Sequence, residues 1–496
     1  MRYNSTRNSG HKLLASEAII RGISEEGGLY VPEELPSIDL TLETLSAMDY
    51  KSLAYYIMSK YLTDFTEQEL KRCIDKAYNE KFDTPLIAPL VQKADVHFLE
   101  LYHGPTLAFK DMALSILPHL LKTAMKKQRI DKEVVILTAT SGDTGKAALE
   151  GFAGVEGTRI MVFFPQEGVS KIQKLQMLTQ EGDNTFVAAI LGNFDDAQNA
   201  VKEIFNDKEL TAELEQKGYI LSSANSINIG RLIPQIVYYF YGYLTLLREG
   251  KIHEGQAINV VVPTGNFGNI LAAYYAKKMG LPIGKLICAS NENNVLTDFI
   301  RTGIYDKRRA LQLTSSPSMD ILISSNLERL LYDISGRRDE VIRELMQQLS
   351  KDGSYELPEF MKKELLDFYG GYAEEKEVFQ AIGSMYKDED YVLDTHTAVA
   401  YGVYQKYQQE TEDYAPTLLA ATASPFKFGR DVSKAMGLNI ADDDDFEILE
   451  QLSKAAHIPL PTAVSALKSK PVLHYTLADK HDIKAVVKAY LGGGQA

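Results

Sequence analysis

Cysteine is scarce: Cys73 and Cys288 are the only two, far apart, and no Cys-x-x-Cys or Cys/His spacing accompanies them. A disulfide framework and a zinc site are therefore disfavoured, and no metal is expected. Positive charge is also short, since 53 Lys and Arg face 67 Asp and Glu for a net charge of -14. That balance argues against general binding to nucleic acid or to a membrane surface. It does not exclude an anionic small molecule, because a local cluster of cations and backbone N–H groups binds phosphate inside an acidic protein. No apolar run is long enough to span a bilayer, and Met1-Arg-Tyr-Asn-Ser-Thr-Arg7 lacks the apolar core of a signal peptide. A reducing cytoplasm is the expected setting. Internal repeats and linkers rich in Pro, Gly and Ser are missing too.

What is present suits a multi-domain protein. A chain of 496 residues exceeds the usual single core. Hydrophobic residues at 45% and charged residues at 24% are ordinary for a globular chain. Residues 1–95 read as a mostly helical domain, with amphipathic stretches at 41–48 and 52–62 and a turn plus short extended piece at 27–32. From residue 96 strands and helices alternate, which predicts βαβ units and parallel sheets. Strands are expected at 96–101, 134–137, 159–164, 185–189, 258–262 and 286–289, with helices at 169–178 and 270–279. Residues 96–245 are read as a smaller α/β subdomain and 246–496 as a larger one. A largely helical insertion is expected near 305–390, a solvated loop at the acidic run 442–445 and a frayed tail at 492–496.

Four stretches carry chemistry. In His103-Gly-Pro-Thr-Leu-Ala-Phe-Lys110-Asp111, a Gly-Pro turn leads to a lysine where a helix begins. Phe109 offers an apolar wall, and Asp111 suits the positive end of the helix dipole. A lysine becomes a nucleophile when desolvation or nearby cations free its amine. Pro118 should kink or shorten the following helix. In Val260-Val-Val-Pro-Thr-Gly265-Asn-Phe-Gly268-Asn269 an apolar strand enters a glycine loop and then a helix, which makes an anion cradle. It is not a Gly-x-Gly-x-x-Gly fingerprint. Thr138-Ala-Thr-Ser141-Gly-Asp-Thr144-Gly-Lys146 fails as a P-loop, with Thr140 in a glycine position and Ala147 where Ser or Thr belongs. It reads as a polar loop for carboxylate or phosphate oxygens, or as a helix start capped by Ser141 or Asp143. Ala421-Thr422-Ala-Ser-Pro-Phe-Lys-Phe428 follows an apolar strand and puts a hydroxyl at its end. A lysine, a phosphate cradle and a late threonine together suggest pyridoxal 5'-phosphate, which needs an amine, a phosphate site and a ring-nitrogen partner.

On these motifs the sequence resembles the threonine synthase family in its long bacterial and fungal form. The resemblance extends through Tyr3-Asn-Ser-Thr-Arg7, Gly27-Gly-Leu-Tyr-Val-Pro32, Val169-Ser-Lys-Ile-Gln173, Ser226-Ile-Asn-Ile-Gly-Arg231 and Asp394-Thr-His-Thr-Ala398, over nearly the whole chain. It implies a fold-type-II, tryptophan-synthase-β-like α/β architecture, with two parallel-type sheet subdomains flanked by helices and a helical N-terminal domain. It implies that Lys110 holds the cofactor, that Gly265, Asn266, Phe267, Gly268 and Asn269 hold its phosphate, and that Thr422 faces the pyridine nitrogen. Ser141 and Thr144 are the implied contacts to the substrate's carboxylate or phosphate, and Lys171, Lys174 and Arg231 the cations for the leaving phosphate. Two departures are visible: Ile229 stands where Trp is common, and Ser424-Pro-Phe426 where His-Pro-Ala is common. His119 reads as a core or boundary residue, and Asp394 or Thr395 as a helix cap, so His119 and His396 stay outside the catalytic set. The implied reaction turns O-phospho-L-homoserine and water into L-threonine and phosphate in a monomer or homodimer. The alternatives are a serine/threonine dehydratase, a β-replacement enzyme, or a silent metabolite-binding relative.

Overall fold

The computed structural model describes residues 1–140, 142–167, 169–440 and 444–492. Two parallel sheets organise it. The smaller contains β6 (Glu133–Ala139), β7 (Thr158–Pro165), β8 (Thr185–Leu191), β9 (Tyr219–Ser222) and β16 (Thr476–Asp479), in the order β16-β8-β7-β6-β9. The larger contains β4 (Leu90–Lys93), β5 (Val96–Glu100), β10 (Ile258–Pro263), β11 (Ile283–Ser290), β14 (Phe368–Tyr372) and β15 (Thr417–Ala421), in the order β14-β11-β10-β15-β5-β4. Only β4 runs antiparallel, as a hairpin with β5. Helices cover both faces of these sheets, so β10 and β15 are buried throughout and apolar but for Asn259 and Thr417, instead of alternating. The expected α/β architecture with parallel sheets is present.

The expected subdomain boundaries differ from the sheets in three places. β5, assigned from sequence to the smaller subdomain, pairs with β15 in the larger sheet, His97 opposite Leu418 and Leu99 opposite Ala420. β16, near the chain end, adds to β8 at the edge of the smaller sheet. The stretch 305–390 is not only helical. It supplies a β12–β13 ribbon (Ile304–Asp306 with Ser354–Glu356) and the edge strand β14. The N-terminal region is mostly helical, but it also carries β1 (Tyr3–Ser5), β2 (Asn8–Leu13) and β3 (Tyr30–Pro32) in the order β2-β1-β3.

The helix Ile229–Arg248 holds the parts together. It is mostly apolar, with Arg231, Gln235 and Thr245 as polar exceptions, and is buried from Ile229 to Leu246, as a helix enclosed on every side must be. It packs on the helices Tyr50–Tyr61, Asp111–Leu114 and Gly268–Lys278. A Cβ on Gly242 would stand 2.9 Å from Leu418, so the helix lies close on the larger sheet. Pro118 opens the helix Leu117–Lys127 in its first turn, where its missing N–H costs nothing. No helix among the described residues is long and apolar enough to cross a membrane. Asp442 and Asp443 of the acidic run, and residues 493–496 of the tail, lie outside the described residues. Asp444 caps the helix Asp445–Ala456.

Candidate active site

The lysine loop is built by hydrogen bonds to the segment after β15. Leu101 N–H donates to Ala421 O at 2.9 Å, Phe109 N–H to Thr422 O at 2.8 Å, and Ser424 N–H to Leu107 O at 3.0 Å. Within the loop the buried Asp111 carboxylate accepts Thr106 N–H at 2.7 Å and Thr106 Oγ1–H at 2.6 Å. Burial pushes that carboxyl up to about 6 even so. A Cβ on Gly104 would lie 2.5 Å from Asp111, so the tight turn requires glycine. Leu107 holds a left-handed φ of 61°, a conformation unfavourable for a branched side chain. Lys110 is thereby fixed at the start of the helix Asp111–Leu114, beside Thr422.

The amine of Lys110 is buried among charges. Nζ lies 3.3 Å from Ser318 Oγ, 3.7 Å from Asp143 Oδ2 and 5.3 Å from the centre of the Phe109 ring. Burial lowers its pKa; Lys427 and Arg231 lower it further, while Asp143 and Asp111 oppose. Asp143 in turn takes a 2.7 Å contact from Lys427 Nζ and a 2.9 Å hydrogen bond from Gln173 Nε2. Burial works against its charge, but Lys427 and Lys110 outweigh that and hold the carboxyl well below the usual range. Lys427 Nζ also donates to Thr106 O at 3.0 Å, tying this cluster to the lysine loop.

Ser318 is set by a second chain of contacts. Its N–H donates to His396 Nε2 at 3.2 Å, which puts the ring proton on Nδ1, 3.1 Å from Asp394 Oδ1. Asp394 caps the helix Thr395–Thr411 and accepts the Thr397 hydroxyl, and Thr397 Oγ1 accepts Thr422 N–H at 3.2 Å. One capped helix start thus positions the hydroxyl on Lys110 and the backbone of Thr422.

The glycine loop leads from β10 into the helix Gly268–Lys278, whose first turn no side chain caps. Phe267 takes a left-handed φ of 61° and buries its ring against Phe368. Gly265 O accepts Ser324 Oγ–H at 2.7 Å, and Asn266 O accepts both the backbone and side-chain N–H of Asn326 at 3.1 and 3.0 Å. Asn269 Oδ1 takes the Tyr239 hydroxyl at 2.6 Å, leaving Nδ2 buried without a partner. Arg231 spends one nitrogen on Ala224 O at 2.9 Å and leaves Nε buried and unpartnered. A Cβ on Gly268 would meet nothing closer than 3.4 Å. A helix start, an unspent buried amide at Asn269 and a glycine whose Cβ would meet only ordinary contacts fit a phosphate, and the buried amine fits a cofactor aldehyde.

Of the residues singled out from sequence, Lys110, the loop Gly265 to Asn269 and Thr422 are brought together, with Arg231 buried close enough to act on Lys110. Thr144 lies in the first turn of the helix Asp143–Phe152, half-buried; Ser141 lies outside the described residues. Gly142, not Asp143, is the N-cap of that helix, and Thr140 Oγ1 gathers the loop by accepting Gly142 and Gly145 N–H at 3.0 Å. Lys171 is exposed and pairs with Asp444, and the half-buried Lys174 donates to Gln166 O at 2.7 Å. Neither joins the buried cluster. Ile229 is core, and Ser424 caps the turn Pro425–Phe428, so neither departure opens the site. His396, set aside from sequence, lies behind Ser318. The sequence marks Asp143 only as a helix cap and gives no role to Ser318 or Lys427. A lysine between Phe426 and Phe428 after a buried strand was the one available signal for the last.

Family models described as Threonine synthase N terminus, Pyridoxal-phosphate dependent enzyme and Threonine synthase, C-terminal match residues 2–78, 80–422 and 397–489. Threonine synthase-like 1 of Homo sapiens is 39% identical over 478 residues, covering 94% of this chain and 62% of that protein. The chain thus spans about 62% of the length of the mammalian relatives it matches. The threonine synthase of Schizosaccharomyces pombe is 35% identical, covering 91% of each. Among solved structures, PLP-bound threonine synthase from Brucella melitensis superposes with a TM-score of 0.88 at 35% identity, covering 100% of each chain. Threonine synthase from yeast gives 0.88 at 31%, covering 99% of each.

Proposed function

The chain belongs to the threonine synthase family of pyridoxal-phosphate-dependent enzymes, and from that membership we propose that it converts O-phospho-L-homoserine and water to L-threonine and phosphate. The observation that carries the reading is the buried, charge-crowded amine of Lys110, with its lowered pKa, at the meeting point of the glycine loop, Thr422 and Ser318. Bound pyridoxal 5'-phosphate supplies a conjugated ring that draws electrons from the carbons next to the substrate amine.

The protein's share is binding, orientation and proton traffic. Lys110 is the residue that carries the cofactor covalently. Gly265, Asn266, Phe267, Gly268 and Asn269 hold its phosphate through the helix start and the free Asn269 amide. Thr422 faces the ring nitrogen with a hydroxyl, which does not fix a full positive charge there as a carboxylate would. Protons must leave Cα and Cβ, and phosphate must leave Cγ, before water adds at Cβ. Lys110 Nζ takes and returns those protons, burial lowering its pKa in the direction that favours the neutral amine. Arg231 meets the phosphate leaving Cγ, its unpartnered Nε being the donor in reserve, while Ser141 and Thr144 contact the substrate's anionic groups. Lys171 and Lys174 would have to leave Asp444 and Gln166 O to take part. The enzyme works in the cytoplasm as a monomer or homodimer, on a small molecule, without metal or nucleic acid.

The test is a phosphate-release assay run beside amino-acid analysis. O-Phosphohomoserine should give threonine and phosphate in equal amounts. Pyruvate from serine, or cysteine from O-acetylserine and sulfide, formed faster than threonine from O-phosphohomoserine overturns the reading in favour of a sibling activity.

A further inference from the structure

Asp143 stands between two lysines. Its Oδ1 holds Lys427 Nζ at 2.7 Å and its Oδ2 faces Lys110 Nζ at 3.7 Å, with Gln173 adding a third contact at 2.9 Å. All three charges are out of water: the side chains of Lys427, Asp143 and Lys110 are 1%, 4% and 10% exposed. Three buried charges are an expensive way to stabilise a core, because desolvation offsets most of the attraction and an apolar replacement often does as well. Lys110 needs an amine, but nothing in its covalent role requires the other two groups.

The remaining neighbours of Lys110 define the electrical setting. Arg231 faces it from the helix Ile229–Arg248 and Asp111 from its own helix, while Ser318 contributes a neutral hydroxyl. With Asp143 removed, two cations, Lys427 and Arg231, would confront the amine with only Asp111 to balance them. With Lys427 removed, Asp143 would belong to Lys110 alone. We propose that Asp143 is a positioning residue for the amine of Lys110, holding its protonated form between proton transfers, and that Lys427, by sharing the same carboxylate, keeps that ammonium acidic enough to release the proton. The inference rests on the reading of Lys110 given above. Neither Asp143 nor Lys427 touches the reacting carbons in this scheme; both act through Lys110.

The experiment is a pH titration of the visible absorption band of the purified holoenzyme, in which Nζ of Lys110 is bonded to the cofactor and its protonation feels the same neighbouring charges as the free amine, in four proteins: wild type, Asp143→Asn, Lys427→Met and the double variant. A charge within about 4–6 Å moves a pKa by roughly one to three units. The midpoint should therefore fall by about one unit or more in Asp143→Asn and rise by about as much in Lys427→Met. Because Asp143→Asn strands the buried charge of Lys427, the double variant removes both; it should fold and titrate between the single variants. Opposite signs are the signature, since a loss of packing alone moves both variants the same way. Shifts of one sign, or a band indifferent to pH in all four proteins, overturn the proposal. Turnover of O-phosphohomoserine by the wild type is scored separately. No turnover with opposed shifts removes the substrate assignment and keeps the role of Asp143. Turnover with unmoved midpoints does the reverse.

Discussion

Two glycines three positions apart in one loop, Gly265 and Gly268, should respond differently to the same added methyl group. At Gly265 a Cβ would sit 2.6 Å from the carbonyl oxygen of Ser318 and 3.5 Å from Met319 Cα. Both are backbone atoms, so no side chain can rotate to make room. At Gly268 the nearest atom is the Asn326 amide at 3.4 Å, an ordinary contact, and the residue opens a helix. Overpacking of the first kind costs about 1–3 kcal/mol. Alanine at a helix start costs nothing and gains up to about 1 kcal/mol of propensity. Gly265→Ala should thus lose about 1–3 kcal/mol in urea denaturation of the cofactor-free chain, while Gly268→Ala stays within about 1 kcal/mol of wild type. Cofactor affinity, followed by visible absorbance, should fall in both. In Gly265→Ala the Ser318 segment is pushed off Lys110; in Gly268→Ala the methyl occupies the space proposed for the phosphate. Wild-type affinity in a stable Gly268→Ala protein refutes the cradle, and wild-type stability in Gly265→Ala refutes the packing of residues 316–319 on the loop.

Three further outcomes are expected. His103 lies between Asp83 at 2.6 Å and Glu100 at 2.9 Å; burial opposes its charge, but the two carboxylates outweigh burial and raise it from 6.5 to about 9. A raised pKa stabilises the fold fully below about 6.5 and loses that contribution as pH climbs through about 9, so His103→Gln should cost at most about 3 kcal/mol at pH 6 and little at pH 10. A gap between the two proteins that widens with pH contradicts this. Asp394→Ala removes a helix cap and the anchor of His396, which should cost about 1–2 kcal/mol in chemical denaturation and lower kcat by more than the corresponding loss of folded protein explains. Borohydride treatment of the yellow holoenzyme should fix the cofactor to Lys110, read by peptide mass spectrometry; an adduct on another lysine defeats the assignment.

The residues that chemistry demands by type were readable. A lysine after a Gly-Pro turn, glycines between strand and helix, and a hydroxyl-bearing residue at a strand end each match a requirement of the proposed group, and the structure sets the Thr422 backbone beside the lysine loop and the glycine loop beside Ser318, which contacts Lys110. What surrounds them was not. Ser318 reaches Lys110 across 208 residues, and Lys427 reaches Thr106 across 321. No local periodicity encodes such meetings, and Ser318 lies in a short irregular turn, Pro317–Met319, inside a stretch read as a helical insertion. The same limit explains β5. Alternation along the chain suggests neighbours in sequence, whereas β5 pairs with β15 because the strand order is not sequential. Asp394 ahead of His396 reads as a helix cap and is one, but the His396 Nε2 lone pair toward Ser318 exists only once distant segments pack.

That pairing sets an order of events as the chain leaves the ribosome. Strands β6 to β9 are synthesised together and associate early, needing only β16 to finish their edge. β5 emerges before them, yet its parallel partner β15 comes some three hundred residues later. Until then β5 and the lysine loop have only the β4 hairpin, and a two-stranded hairpin is marginal on its own. Closing so long a loop is slow and leaves an apolar strand edge waiting. The bond from Phe109 N–H to Thr422 O therefore forms only after Thr422 emerges, and a chain truncated before residue 417 should lose the parallel partner of β5 together with the β16 edge and covering helix Ile483–Leu491 of the smaller sheet, leaving Lys110 no place to stand.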